Sequence, residues 1–198
     1  MPAPREHPLY RPEGCHTVTP HLIVDGADRA LDFYRAAFGA EVLKRLEAPD
    51  GKLMHAEFRI HDSTLMLADD FPEFGNPRNA KALGGTPITL HIWTPDVDRA
   101  VQTASEAGAE VTMAPQDMFW GDRYATIRDP FGLVWSFGQR KETPSSEEVE
   151  ERAARAFAEE GPAPAVSERP GTGGPAESRA RRDEPAPRPH GADRASKS

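Results

Sequence analysis

The stretch TVTPHLIVDGADRALDFYRAAFGAEV, Thr17 to Val42, returns in pattern as TLHIWTPDVDRAVQTASEAGAEV, Thr89 to Val111. Thr19-Pro20-His21 lines up with Thr89-Leu90-His91, and Asp28-Arg29-Ala30 with Asp98-Arg99-Ala100. Gly39-Ala40-Glu41-Val42 recurs as Gly108-Ala109-Glu110-Val111, one residue closer, so a single deletion separates the two copies. Solenoid repeats are shorter and more numerous than this pair. The duplication reads as two modules that face each other, with a shared cleft as the natural place for a ligand.

Working outward, each copy opens with an alternating strand and continues into a helix. In the first, residues 16–24 put Val18, Leu22 and Val24 on one face and Thr17, Thr19, His21 and Ile23 on the other. Asp25 starts the helix, Ala27, Leu31, Tyr34 and Phe38 follow at helical spacing, and Gly39 stops it. Strands are expected over 40–48, 53–61 and 63–69, which makes the module β-α-β-β-β. Residues 70–85, with Phe71 and Phe74, read as a packed flap rather than a plain linker. The second module repeats the order: strand 86–94, helix 96–107 capped by Asp96, then strands 109–114, 122–128 and 133–139. Asp129-Pro130-Phe131-Gly132 has the residues of a type I turn. Ser145-Ser146-Glu147-Glu148 has the spacing of a capping box before a short helix ending near residue 160.

The fold class is therefore α+β: two tandem βαβββ modules forming a curved mixed sheet around a cleft, followed by a C-terminal helix and a disordered tail. Residues 1–14 read as a flexible N-terminus, 15–141 as the domain, 142–160 as the helix and 161–198 as the tail. The tail holds seven prolines and five glycines, with Val166 its only large aliphatic residue. Such a segment buries too little apolar surface to offset its ordering entropy. Its 7 basic and 5 acidic residues leave −10 on residues 1–160 out of a total of −8. An acidic body argues against nucleic-acid or anionic-membrane partners. No apolar run has the length of a membrane span, and no secretory leader is evident. The single cysteine, Cys15, excludes an intrachain disulfide and fits a reducing, cytoplasmic compartment.

Register decides what lines the cleft. In the second module Ile88, Leu90 and Ile92 are expected inward, with Thr89, His91 and Trp93 opposite. In the closing strands Leu65, Leu67, Trp135 and Phe137 should face the helices, leaving Thr64, Met66, Ala68, Ser136 and Gly138 on the cleft side. The wall is thus a mixture of hydroxyls, two imidazoles, a thioether and an indole, which suits a small organic ligand. Phe119 and Trp120 stand at the rim, either stacking on the ligand or packing. Asp122 and Arg123 pair with one another or meet the ligand. Glu57 alternates with His55, Arg59 and His61 and reads as a solvated strand residue, with general base as its other reading.

The two βαβββ modules, Phe33-Tyr34 followed by Phe38-Gly39, and the Asp129-Pro130-Phe131-Gly132 turn resemble the vicinal oxygen chelate superfamily. That superfamily includes glyoxalase I, extradiol dioxygenases, and bleomycin- and fosfomycin-resistance proteins. Met118-Phe119-Trp120-Gly121-Asp122-Arg123-Tyr124 before that turn and Trp135 resembles the phosphonate-operon-type, glyoxalase-like branch. The resemblance covers residues 15–141. In metal-dependent members the ligand positions would fall on Thr19, Met66, Thr89 and Ser136, none of which is a good donor for a divalent ion. At these positions the sequence departs from its metal-dependent relatives, so neither glyoxalase I activity nor a cofactor is expected. The resemblance also implies a homodimer, since many members pair and some complete the cleft between chains.

Two alternatives stand beside ligand binding without metal. His21 and His91 lie two residues beyond the ligand positions and, with Glu57, are the candidates for a non-standard divalent metal set serving a lyase, isomerase or dioxygenase. The third reading is a regulatory or interaction module that works through the tail.

Overall fold

The computed structural model describes residues 10–12, 14–75 and 77–160. The tail, whose disorder its composition predicts, lies outside the described residues, as does most of the N-terminal segment. The first module consists of β1 (His21–Val24), α1 (Ala27–Phe38), β2 (Glu41–Glu47), β3 (Leu53–Ile60) and β4 (Ser63–Asp69). These strands form one sheet in the order β1-β4-β3-β2, with β1 parallel to β4 and the other pairs antiparallel. A 3₁₀ turn over Pro72–Phe74 and a short α2 (Ala80–Leu83) lead to the second module. That module is β5 (Thr89–Trp93), α3 (Val97–Glu106), β6 (Glu110–Asp117), β7 (Asp122–Arg128) and β8 (Val134–Arg140). Its sheet order, β5-β8-β7-β6, repeats the first. The helix α4 (Ser146–Glu160) follows. Among the described residues no helix is long and apolar enough to cross a membrane.

The opening strands are shorter than the alternation predicts. Val18 is 84% exposed and Ile88 65% exposed, although both are expected inward. Proline is the reason in each case, since it has no N–H for the ladder. Pro20 contributes only its carbonyl, to the Met66 N–H at 2.8 Å, and behind it Thr19 Oγ1 bonds the His16 carbonyl at 2.9 Å. Ile88, just after Pro87, donates its N–H to Thr86 Oγ1 at 3.1 Å in a local turn.

Helix capping also departs from expectation at one point. Asp25 does not cap α1; Gly26 occupies the N-cap in the left-handed region, and the cap comes from the far end of β4. Asp69 Oδ1 accepts from the N–H groups of Gly26 and Ala27 at 2.8 and 2.9 Å, while Oδ2 accepts from Leu53 N at 2.7 Å. One buried carboxylate thus ties a helix start to two strands. In α3 the expected cap is present, with Asp96 accepting from Arg99 N at 3.0 Å. The capping box before α4 is reciprocal: Ser145 N donates to Glu148 Oε2 and Glu148 N to Ser145 Oγ.

The core is single and lies on the helix side of both sheets. Helices α1 and α3 pack against each other. Tyr34 of α1 stacks on Phe58 of β3, with centroids 5.2 Å apart, and Phe38 lies 4.7 Å from Trp135 of β8. Large aromatic side chains buried this fully dominate packing energy. At the seam Asp129 accepts four hydrogen bonds: Tyr34 Oη (2.9 Å) and Trp135 Nε1 (3.0 Å) at Oδ2, and the N–H groups of Phe131 and Leu133 (2.9 Å each) at Oδ1. The flap over 70–85 is pinned at both ends. Phe71 is buried beneath Lys52, and Asn79 donates to Asp70 while capping α2. Phe74 remains 78% exposed, with its ring 6.2 Å from that of Phe71.

Because the core occupies the helix side of each sheet, the opposite faces are turned away from it. These outer faces carry the Thr/His rows of the duplicated strands, one per sheet.

Candidate functional site

The outer face of the first sheet is organised by register. His21 on β1 sits opposite Met66 on β4, Met66 opposite Glu57 on β3, and Glu57 opposite Lys44 on β2. His55, two residues before Glu57, shares that face because strand side chains alternate. His55 Nε2 lies 3.2 Å from Glu57 Oε1, and Lys44 Nζ 3.8 Å from the same oxygen. The His21 and His55 rings meet edge-on with centroids 6.2 Å apart. Partial burial lowers the His21 pKa, and the neighbouring His55 adds to the effect. Glu57 and His55 are half-buried rather than freely solvated, which revises the reading of both as plain strand-surface residues. Nothing in the alternation identifies them as partners, since an i,i+2 polar pair on a strand usually faces water.

The outer face of the second sheet is aromatic. His91 Nδ1 bonds Ser136 Oγ at 2.8 Å, and Ser136 is itself buried. The His91 ring lies 4.6 Å from Trp93, edge to face, and 6.0 Å from Tyr124, nearly parallel. Tyr124 continues to Trp120 at 5.9 Å, Trp120 to Phe119 at 4.8 Å, and Phe119 to Phe157 of α4 at 6.2 Å. Phe119 and Trp120 therefore extend one aromatic row, and Tyr124 joins it unforeseen. Burial lowers the His91 pKa, opposed by the nearby Asp122 carboxylate. Asp122 pairs with Arg140 at 2.5 Å, and Arg140 lies over the Trp93 ring. Arg123 instead bonds Asp98 and Asp117. The expected Asp122–Arg123 pair does not form, because consecutive strand residues point to opposite faces.

Gly138 makes room for this arrangement. A Cβ there would lie 2.7 Å from His91 Nε2 and 2.9 Å from Trp93. Both are ends of side chains, so Gly138→Ala should displace the two rings while leaving the fold intact. The expected result is a shifted tryptophan emission and a moved His91 resonance with little change in Tm.

The four positions that the resemblance assigns to metal do not fit a divalent ion. Thr19 has turned back onto its own loop, Thr89 is a neutral exposed hydroxyl, Met66 is a thioether, and the Ser136 hydroxyl is held by His91. Neutral hydroxyls and a soft sulfur are poor ligands for such a cation. Among the described residues no three His, Cys, Asp or Glu side chains are grouped to hold a metal. Within one chain the alternative set is also divided, with His21 and Glu57 on one sheet and His91 on the other.

Comparison with known proteins agrees with this architecture. The family model described as "Glyoxalase/Bleomycin resistance protein/Dioxygenase superfamily" matches residues 15–137. An uncharacterized protein of Mycobacterium bovis is 47% identical over 135 residues, covering 67% of this chain and 89% of that protein. The X-ray structure of an Arabidopsis thaliana gene product superposes with a TM-score of 0.52 at 25% identity, covering 62% of this chain and 98% of its own. A PhnB protein of Bacillus cereus shares the fold at 16% identity, with a TM-score of 0.50 over 63% of this chain and 99% of its own.

Proposed function

The chain belongs to the glyoxalase/bleomycin resistance protein/dioxygenase superfamily, and on that premise we propose that it binds a small organic ligand without the divalent ion of its metal-dependent relatives. The ligand sits between the outer face of one sheet and that of the other, and two chains pair to close the cleft. The observation that carries this reading is the row His91, Trp93 and Tyr124 on an outer face, with Trp93 57% exposed. Leu46 on the first sheet is likewise 52% exposed. Half-exposed apolar and aromatic side chains on two complementary faces are what a shared binding surface requires. Aromatic faces with a few placed polar groups suit a small ligand better than a charged polymer. The acidic body steers cationic compounds toward it.

Sedimentation should report a dimer, and a fragment screen read by tryptophan quenching should return aromatic ligands. Trp93→Ala and Trp120→Ala should each weaken the hits by about 1 kcal/mol or more. A monomer whose hits are indifferent to both substitutions would sink the proposal. Removing residues 161–198 should leave binding unchanged; a loss would favour the tail-dependent reading instead.

A further inference from the structure

The helix α4 lies beyond the family domain of residues 15–137, and among the described residues it contributes nothing to the core. Its start is nonetheless tied to the second sheet. Lys141 N and Glu142 N donate to the Gly121 carbonyl at 3.0 and 3.1 Å, and Arg152 pairs with Glu142. This holds α4 beside the β6–β7 turn, which carries Phe119 and Trp120. Val149, Ala153, Ala156 and Phe157 share one face of the helix, since they follow its period. The first three are half-buried, whereas Phe157 remains 59% exposed. A helix packed for stability alone would cover its largest apolar side chain first, because a buried aromatic ring contributes more than a buried alanine. Here the ring stands open, 6.2 Å from Phe119, at the end of the row that runs through Trp120 and Tyr124 to His91 and Trp93. Phe119, Trp120 and Tyr124 are half-buried, so the row keeps an accessible side along its length.

We propose that Phe157 forms the far wall of the ligand site, so that α4 selects an extended polycyclic aromatic ligand over a compact one. The inference rests on the reading that the aromatic row of this sheet binds ligand. A compact ring system covers His91, Trp93 and Tyr124 alone. A longer one continues past Trp120 and Phe119 and brings its distal ring onto Phe157, burying the part of that side chain left open. The contact is made only by a ligand long enough to reach it, which is what makes Phe157 a selector of length. One further aromatic pair of this kind amounts to about threefold or more in affinity.

The test uses the full chain and two cationic probes that share a head group, the compact N-methylisoquinolinium and the longer, polycyclic berberine, with affinities read by calorimetry. Their equal charge removes steering by the acidic body from the comparison. Phe157→Ala should weaken berberine by about threefold or more and leave N-methylisoquinolinium unchanged. Alanine is the best helix former, so the ring is lost without melting α4, and unchanged hydrogen exchange across residues 146–158 checks this. Phe157→Tyr should keep berberine at wild-type affinity, and Trp93→Ala should weaken both probes. Unchanged berberine affinity in Phe157→Ala overturns the proposal. So does an equal loss for both probes, which would mean that the ring only props the helix. In either case N-methylisoquinolinium binding that depends on Trp93 leaves the ligand site itself standing. Absence of binding by both probes overturns both readings.

Discussion

Asp129→Ala should destabilise the domain by about 3–5 kcal/mol, because each buried donor left without an acceptor costs about 1–3 kcal/mol and several are left at once. The substitution strands four donors at once: two backbone N–H groups of the turn, the Trp135 indole and the Tyr34 hydroxyl. Tyr34 and Trp135 come from different modules, so the loss falls on the seam that holds the modules together. Burial pushes the Asp129 carboxyl up while these four donors pull the other way, and burial also raises the Tyr34 hydroxyl well above its ordinary value. Asp129→Asn should cost less. Its remaining oxygen can keep both backbone donors, but its amide meets the Trp135 N–H donor to donor. Equilibrium urea unfolding would rank the variants. A loss under about 1 kcal/mol for Asp129→Ala would show that water replaces the carboxylate.

Gly121→Ala should cost about 2–4 kcal/mol through two separate causes. Gly121 has φ of 95°, where an L-residue is strained by about 1–2 kcal/mol. Its added Cβ would also lie 2.7 Å from the Glu142 carbonyl and 2.8 Å from Pro144 Cδ, and overlap of this kind costs about 1–3 kcal/mol. The segment that would have to move is the connection into α4, which bonds back through Lys141 N and Glu142 N to the Gly121 carbonyl. Arg152 of α4 also pairs with Glu142. Hydrogen exchange should therefore accelerate across residues 141–158 more than in β3 or β4. Equal acceleration everywhere would mean that α4 is not separately anchored here.

Much of this architecture is legible in the order of residues. The duplicated strand–helix–strand pattern predicts two equivalent modules, and each sheet has the same strand order. Alternation correctly separates Leu67, Trp135 and Phe137 from Met66, Ser136 and Gly138. Asp96 and Ser145 act as caps because a cap is a local contact, three residues long. Val18 and Ile88 failed because alternation carries no information about where pairing ends, which the neighbouring prolines decide. Asp69 as the cap of α1 was not legible, since its partners lie 42 and 43 residues away. Tyr124 was invisible for the same reason: its meaning depends on His91 and Trp120 arriving beside it.

The sequence by itself determined the family, the two βαβββ modules, which side of each strand is apolar, and the poor metal donors at Thr19, Met66, Thr89 and Ser136. These follow from short-range periodicity and from residue chemistry that does not depend on what lies nearby. Tertiary structure alone decided that α1 and α3 pack together, turning the His21 and His91 faces away from the shared core. It also decided that His55 belongs with Glu57, that Asp122 pairs with Arg140, and that Asp129 joins the modules. Each of these is a meeting of groups whose partner is chosen by packing and register. No local preference encodes such a partner, because the free energy that selects it comes from burying both modules at once.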